Sequence, residues 1–244
     1  MKSSIALYGI EPVIQCLTHS SRDVSRLILK ENNDSERLRS IARLGKAHKI
    51  PLETASPQKL ESLCKSKNHQ GVVLFCGEKK TLDLKSFIKD DTRDFSLIIA
   101  LDQIEDPQNL GAVIRSASYF GAAGLLYVKR KNAPLSPTVS KVSAGALENF
   151  PVIEVNNLAQ GLSSLKQNGY FIVGADTRDG EGFQKIIDLE KMALVLGNEG
   201  QGLRELTRSH CDFLVTIEGG KTTESLNVSN AAAILIQHFT KPKS

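Results

Sequence analysis

Three segments in the C-terminal two-thirds of the chain combine residue types and spacings that could do chemistry. The first is Leu101–Arg115, LDQIEDPQNLGAVIR, in which an apolar run ends at Asp102, a polar loop carries Asp106-Pro107, and a helical pattern begins near Asn109. Asn109 and Arg115 lie about one and a half helical turns apart, so they need not share a face, yet both belong to one strand end. A cation early in a helix opposes the helix dipole. Arg115 therefore either pairs with a surface neighbour such as Glu105 or has a task of its own. The second segment is Leu194–Leu203, LVLGNEGQGL. Gly197, Gly200 and Gly202 allow the backbone to turn tightly and to approach a ligand. Their GxxGxG spacing and late position do not fit a dinucleotide-binding fingerprint, and a plain tight turn would account for them equally well. The third is Ile217–Ala231, IEGGKTTESLNVSNA. Ser225 is a candidate N-cap, and Asn227 falls in the first turn of a helix, where Asn has poor propensity.

The elements around these segments are legible from hydrophobic periodicity. From Ser96 onward, SLIIALD, GLLYV, PVIEV, YFIVGA, KMALVLG and DFLVTI read as strands. NLGAVIRSASYFG, SPTVSKVSAGALEN, LAQGLSSLKQNG, QGLRELTRSH and SLNVSNAAAILIQHF read as helices between and after them. Near-continuous apolar strands alternating with helices predict an α/β fold whose parallel sheet is covered on both faces. Ligands of such sheets bind at the carboxyl ends of strands, where the loops after LIIALD, ALVLG and FLVTI carry the three segments. Upstream, GIEPVIQCL reads as helix, SRLILK as extended, DSERLRSIARLGKAHK as helix with Asp34 as N-cap, SPQKLESLC as helix with Ser56-Pro57 as cap and first position, and GVVLFCG as strand. GEKKTLDLKSFIKDDTRD is charged and has linker character, with Leu82, Leu84, Phe87 and Ile88 available for a short helix. The predicted organisation is a small α/β domain at 1–77, a linker at 78–94 and a larger domain at 95–244.

Composition narrows the classes. With 244 residues and 41% hydrophobic content, the chain can bury a proper core without disulfides or a structural metal. Cys16, Cys64, Cys76 and Cys211 show no CxxC pair and no His at ligand spacing, so reduced thiols and no metal site are expected. No apolar run approaches the ~20 residues that span a bilayer, and Glu11 and Pro12 interrupt the N-terminal apolar stretch, against a signal peptide. A cytoplasmic protein is expected. Residues 1–80 hold 14 Lys and Arg against 8 Asp and Glu, a net of +6, whereas residues 81–244 hold 17 against 19, a net of −2. A basic N-terminal third fits attraction to a polyanion such as RNA, although a solvated basic face would give the same bias.

Taken together, the three segments resemble the motifs of the SpoU branch of the knotted (SPOUT) methyltransferases, in the same order and spacing. The first matches through Asp102, Asp106-Pro107, Asn109, Gly111 and Arg115; the second through Gly197, Glu199, Gly200 and Gly202; the third through Ser225-Leu226-Asn227-Val228-Ser229. Residues 141–148, KVSAGALE, resemble the family's basic, small-residue helix, and Asn68-His69-Gln70-Gly71 resembles the signature closing the N-terminal substrate-binding domain of its ribosomal RNA members. The third motif departs from the pattern: Glu218 stands where the family usually has Pro, and Lys221 where it has Gly.

The resemblance implies a C-terminal α/β-knot domain with a parallel sheet and a deep trefoil knot, a rare exception to unknotted topology. With it comes a small N-terminal α/β domain of the ribosomal protein L30e type that holds structured RNA. It implies S-adenosylmethionine as methyl donor, held through Gly197, Ile217 and Leu226, no metal, and a homodimer without membrane or DNA partners. Arg115 is then the catalytic group, with Asn109, Glu199, Ser225 and Asn227 positioning it, the ribose and the donor. The implied reaction is 2′-O-methylation of an RNA ribose, most closely that of a guanosine in large-subunit (23S-type) rRNA. A transfer RNA substrate, or a non-catalytic RNA- or ribosome-binding protein on the same fold, are the competing readings. The intact Asn109, Arg115, Glu199, Ser225 and Asn227 speak against the latter. Low aromatic content, 5% with no Trp, argues for phosphate and shape contacts rather than base stacking.

Overall fold

The computed structural model describes residues 4–19, 21–32, 35–176, 180–186, 189–198, 200–219 and 225–240. In chain order the strands are β1 (Ile5–Tyr8), β2 (Val24–Lys30), β3 (Leu52–Ala55), β4 (Val72–Cys76), β5 (Leu82–Asp83), β6 (Ser96–Leu101), β7 (Gly124–Tyr127), β8 (Val152–Glu154), β9 (Phe171–Ala175), β10 (Glu181–Gly182), β11 (Lys191–Leu196) and β12 (Phe213–Thr216). The helices are α1 (Ile10–His19), α2 (Glu36–Ala47), α3 (Pro57–Cys64), α4 (Leu84–Asp90), α5 (Pro107–Tyr119), α6 (Pro137–Val142), α7 (Ala146–Asn149), α8 (Leu158–Gln167), α9 (Glu205–Arg208) and α10 (Val228–Phe239). They form two compact units: Met1–Lys80 with Leu135–Asn149, and Thr81–Pro134 with Phe150–Ser244.

The first unit is built on a four-stranded sheet of order β1-β4-β2-β3, antiparallel except for the parallel β2–β3 pair. Its strands alternate as a pleat requires. Leu7, Leu27, Leu29, Val72, Leu74 and Cys76 meet Val13, Cys16 and Leu17 of α1 and Leu38 and Ile41 of α2. Tyr8, Ile28 and Val73 point the other way, onto Leu60 of α3. Ser56 caps α3 by accepting from the Lys59 amide at 3.3 Å, with Pro57 at the first position, as the sequence predicts. For α2 the predicted cap Asp34 lies outside the described residues, and the N-cap position belongs to Ser35.

The helix expected over SPTVSKVSAGALEN is broken into α6 and α7 by Ala144 and Gly145, both with positive φ. A Cβ on Gly145 would lie 2.8 Å from the Glu11 carbonyl, so the close approach of α1 requires the glycine there. Residues 135–149 belong to the first unit although they lie between β7 and β8 in sequence. The expected linker is divided: the first unit runs to Lys80, and β5 and α4 belong to the second, with Leu84 and Phe87 in its core.

The second unit holds an eight-stranded, wholly parallel sheet of order β10-β12-β9-β11-β6-β7-β8-β5. At its centre β11 lies on β6 in register from Lys191↔Ser96 to Leu196↔Leu101. All six residues of β6 are buried. Ile98 and Ala100 join Leu126, Ile153 and Leu162 on one face, while Leu97, Ile99 and Leu101 are buried on the other. Burial on both faces is why these strands read as continuous apolar runs rather than alternating ones. No helix among the described residues is long and apolar enough to cross a membrane.

Candidate functional site

Parallel strands deliver their following loops to one edge of the sheet, and β6, β11 and β12 there release the three polar segments. After β6 the backbone turns through Gln103 at φ 65° and enters α5, whose N-cap Asp106 accepts from the Gln108 amide at 2.9 Å. Pro107 takes the first helical position, so α5 begins two residues before Asn109. Asn109 is 7% exposed, and its Oδ1 accepts from Asn227 Nδ2 at 3.0 Å. Asn227 is itself the N-cap of α10: its Oδ1 accepts from the Ser229 amide at 2.8 Å and the Ser229 hydroxyl at 2.6 Å. The cap is therefore Asn227 rather than Ser225, because Asn caps well where it fits poorly inside a turn. That single side chain both starts the last helix and ties the third segment to the first.

The second segment folds back on itself. Asn198 and Gly202 exchange backbone hydrogen bonds of 3.1 and 2.8 Å, closing a tight loop. A Cβ on Gly197 would lie 2.3 Å from the carbonyl carbon of Gly202, which leaves no room for any other residue. The Asn198 side chain accepts from the Gly200 amide and donates to the Gln103 carbonyl, both at 2.9 Å, joining this loop to the first. Residues 103–106, Asn109, Asn198 and Val228 line a cavity of about 200 Å³. That is smaller than the ~300–1,000 Å³ of pockets enclosing a whole ligand, so it suits one end of a larger molecule.

Two ion pairs anchor the chain just beyond the loop. Asp102, 1% exposed at the end of β6, accepts from the Arg204 amide at 3.0 Å and from Arg204 Nε at 2.6 Å. Arg208 lies 3.3 Å from Asp176, which is buried just past β9. Because β11 runs between β6 and β9, Arg204 at the N-cap of α9 and Arg208 at its last position reach to either side of the strand from which the glycine loop leaves. Sequence reading left Asn198, Arg204 and Arg208 out of the site. A buried Asp at a strand end, and an Arg where a helix starts, were the available signals.

The remaining predicted residues fall as follows. Arg115 projects from α5 to solvent and makes no ion pair or hydrogen bond with any described residue, so it is not the partner of Glu105. Ser225 and the 46%-exposed Leu226 lead into the Asn227 cap, and Ile217 is half-buried after β12. Glu199 and Lys221 lie outside the described residues, while Glu218 is exposed. In the first unit, His69 is buried, its Nδ1 accepts from the Gly71 amide at 3.0 Å, and burial lowers its pKa. Gln70 Oε1 accepts from the Ile10 amide at 3.1 Å and from Lys141, so the NHQG turn fastens α1 and α6.

Comparison with known proteins gives a consistent picture. Residues 96–237 match the model of the SpoU rRNA Methylase family, and residues 6–82 match a model described as RNA 2′-O ribose methyltransferase substrate binding. The chain is 37% identical to the 23S rRNA (guanosine-2′-O-)-methyltransferase RlmB of Coxiella burnetii over 98% of its own length and 96% of that protein. It is 35% identical to the protein of the same name from Neisseria meningitidis, over 100% and 97%. In fold it resembles the SpoU methyltransferase AviRb of Streptomyces viridochromogenes, crystallised with AdoMet, at a TM-score of 0.80 and 22% identity, covering 97% of this chain and 89% of that one.

Proposed function

Because the chain belongs to the SpoU rRNA methylase family, we propose that it methylates a ribose 2′-hydroxyl of RNA with S-adenosylmethionine, its substrate a guanosine of 23S-type rRNA. The observation that carries this reading is the Asn109–Asn227 hydrogen bond, which draws the first and third segments together beside the glycine loop, with Arg115 on the same helix as Asn109. The donor set suits the methyl donor: Gly197 in the tight loop, half-buried Ile217 and exposed Leu226 offer backbone groups and apolar surface to an adenosine. When bound, the sulfonium supplies an already activated methyl group. The protein is left with two tasks, to hold the 2′-oxygen in line with it and to help remove the hydroxyl proton. Asn109 and Asn227, fixed by one another, serve the first, together with Ser225 and Glu199. Arg115 serves the second. Arginine is a poor base because its guanidinium is normally charged. We therefore favour a role in which Arg115 holds the adjoining phosphate and stabilises developing alkoxide charge while phosphate or water takes the proton.

The first unit, basic in sequence, would hold structured RNA. The reading carries with it a trefoil knot in the second unit, a cytoplasmic location and a homodimer. Tyr119 of α5 and Ile234 of α10, exposed on two helices that pack together, are surfaces a second copy would cover.

The test is methyl transfer from radiolabelled S-adenosylmethionine to total rRNA and tRNA, both from a strain lacking the protein. Label in rRNA, with one linkage made alkali-resistant, is the expected result. Label confined to tRNA would move the substrate, and S-adenosylmethionine binding without any transfer would make the chain a binding protein. The cofactor loop has its own test. Gly197→Ala forces a Cβ onto the Gly202 backbone; overpacking of this kind costs ~1–3 kcal/mol, so calorimetry should show S-adenosylmethionine binding weakened by roughly ten- to a hundredfold. Wild-type affinity in that variant would remove Gly197 from the cofactor site.

A further inference from the structure

Lys129-Arg130-Lys131 is the one run of three consecutive basic residues in the sequence, and it sits in a part of the chain that is otherwise net acidic. All three side chains are exposed, and those of Arg130 and Lys131 make no ion pair with any described residue. Like charges on adjacent residues repel, and neither Arg130 nor Lys131 is held by an ion pair that would offset this.

Their placement is not loose. The run leaves the carboxyl end of β7, next to that of β6, because the two strands are parallel partners. The Lys131 amide donates to the Val128 carbonyl at 3.0 Å, forming a tight turn. Behind it, Asn132 is 8% exposed; its Nδ2 donates to the Val128 carbonyl at 3.1 Å, and its Oδ1 accepts from the Ile104 amide at 2.9 Å. The Ala133 amide donates to the Ile104 carbonyl at 2.8 Å, and the Tyr127 hydroxyl donates to the Ala133 carbonyl at 2.9 Å. Burial pushes that phenol up to about 12, so it remains a donor across the ordinary pH range. Ile104 lines the cavity beside Asn109. A buried polar side chain with both ends of its amide satisfied fixes a loop far more firmly than solvated contacts would. Here it fixes the backbone of the basic turn to Ile104, a residue that lines the cavity. On the neighbouring loop, Glu105 and Asp106 are exposed and would repel a phosphate, which leaves the Lys129–Lys131 side as the favourable path.

We propose that the Lys129–Lys131 turn is a binding site for RNA phosphodiesters, holding the strand that adjoins the target nucleotide on the catalytic unit itself. This deepens the RNA-methyltransferase reading and rests on it. It adds to the first unit, which the family match assigns to substrate binding, a second anchor point next to the reacting ribose.

The test replaces Lys129, Arg130 and Lys131 together with Gln in the full chain and measures filter binding of total rRNA across a salt series, beside methyl transfer. Each lost phosphate contact lowers the salt slope by about 0.7–0.9, so the triple variant should lose about 2 from the slope of log K against log salt. The KM for rRNA should rise at least about tenfold, kcat should stay within about twofold, and S-adenosylmethionine affinity and thermal midpoint should not move. Arg130→Lys alone should keep the wild-type slope, since a phosphate contact of this kind needs charge rather than a fork. An unchanged slope in the triple variant, or a fall in kcat with KM unchanged, overturns the proposal. If wild-type protein binds rRNA but transfers no methyl group, the activity reading fails, while the slope comparison still decides the site.

Discussion

Replacing Arg115 with alanine is expected to slow methyl transfer by roughly 10²–10⁴-fold, the range that a positioned proton-transfer or charge-stabilising group contributes. S-adenosylmethionine affinity should be unchanged. Arg115 lies mid-way along α5, where a cation gains nothing from the dipole, and no described residue pairs with it. Asn109, six residues earlier on the same helix, is nearly buried and locked to Asn227, so the helix that carries the arginine is fixed against the start of α10. A long, charged side chain on a rigid mount, pointing to solvent, is prepared for an anionic partner. Arg115→Lys separates the two roles open to it. A lysine keeps the charge but loses the planar fork that grips phosphate in two places, so turnover should remain far below wild type if the guanidinium itself is needed. Near-normal turnover in the lysine variant, with the alanine variant inactive, would leave only a point charge at work. Wild-type rates in both would take Arg115 out of the reaction. Rate and cofactor affinity, read on the same preparations, distinguish these outcomes from misfolding.

What the sequence conveyed, and what it did not, follows from the range of the interactions concerned. The α/β class, the parallel sheet and the three loops were readable because each depends on local periodicity and on glycine or proline at turns. Asp106-Pro107 at the head of α5 and Ser56-Pro57 at the head of α3 are of this kind. Asn227 was misplaced by two residues because Ser225 and Asn227 are both competent caps, and only the pull of Asn109, 118 residues away, selects between them. The break between α6 and α7 was invisible for a similar reason: SKVSAGALEN has an unbroken helical pattern, and the close approach of the Glu11 carbonyl to Gly145 is what interrupts it. Nothing in QGLRELTRSH pairs Arg204 or Arg208 with a partner; the strand order does, by placing Asp102 and Asp176 on either side of β11. The family resemblance supplied roles for residues whose contacts no pattern reveals.

The second large effect concerns stability and lies in the first unit. Replacing Arg22 with methionine is expected to destabilise that unit by about 3–5 kcal/mol, the cost of removing one partner from a buried ion pair. Both side chains, Arg22 and Glu148, are fully enclosed. Arg22 Nε donates to Glu148 Oε2 at 2.7 Å and Nη2 to Oε1 at 2.9 Å, a two-point grip. Ser21 and Ser140 hydroxyls donate to the same carboxylate at 2.9 and 2.8 Å, and Lys79 donates to the Glu148 carbonyl at 2.8 Å. Burial alone would lower the guanidinium's pKa, but the hydrogen bonds and the charge of Glu148 outweigh it and raise the value, so Arg22 stays charged inside the fold. Without it, Glu148 loses its two-point charged partner and keeps only two hydroxyls on the carboxylate, with Lys79 held at its main-chain carbonyl, and burial in that state is expensive. Such a loss is comparable to the whole stability of many domains, ~5–15 kcal/mol. Scanning calorimetry of the full chain should therefore show an early transition of the first unit, with that of the second little changed. The double replacement Arg22→Met with Glu148→Leu should recover most of the loss, because it removes both members of the enclosed pair together. A single Arg22→Met variant within about 1 kcal/mol of wild type, the range of an exposed pair, would mean that water reaches Glu148. The segment 135–149 would then be held to the first unit by Leu147 and the small residues of its broken helix, not by charge.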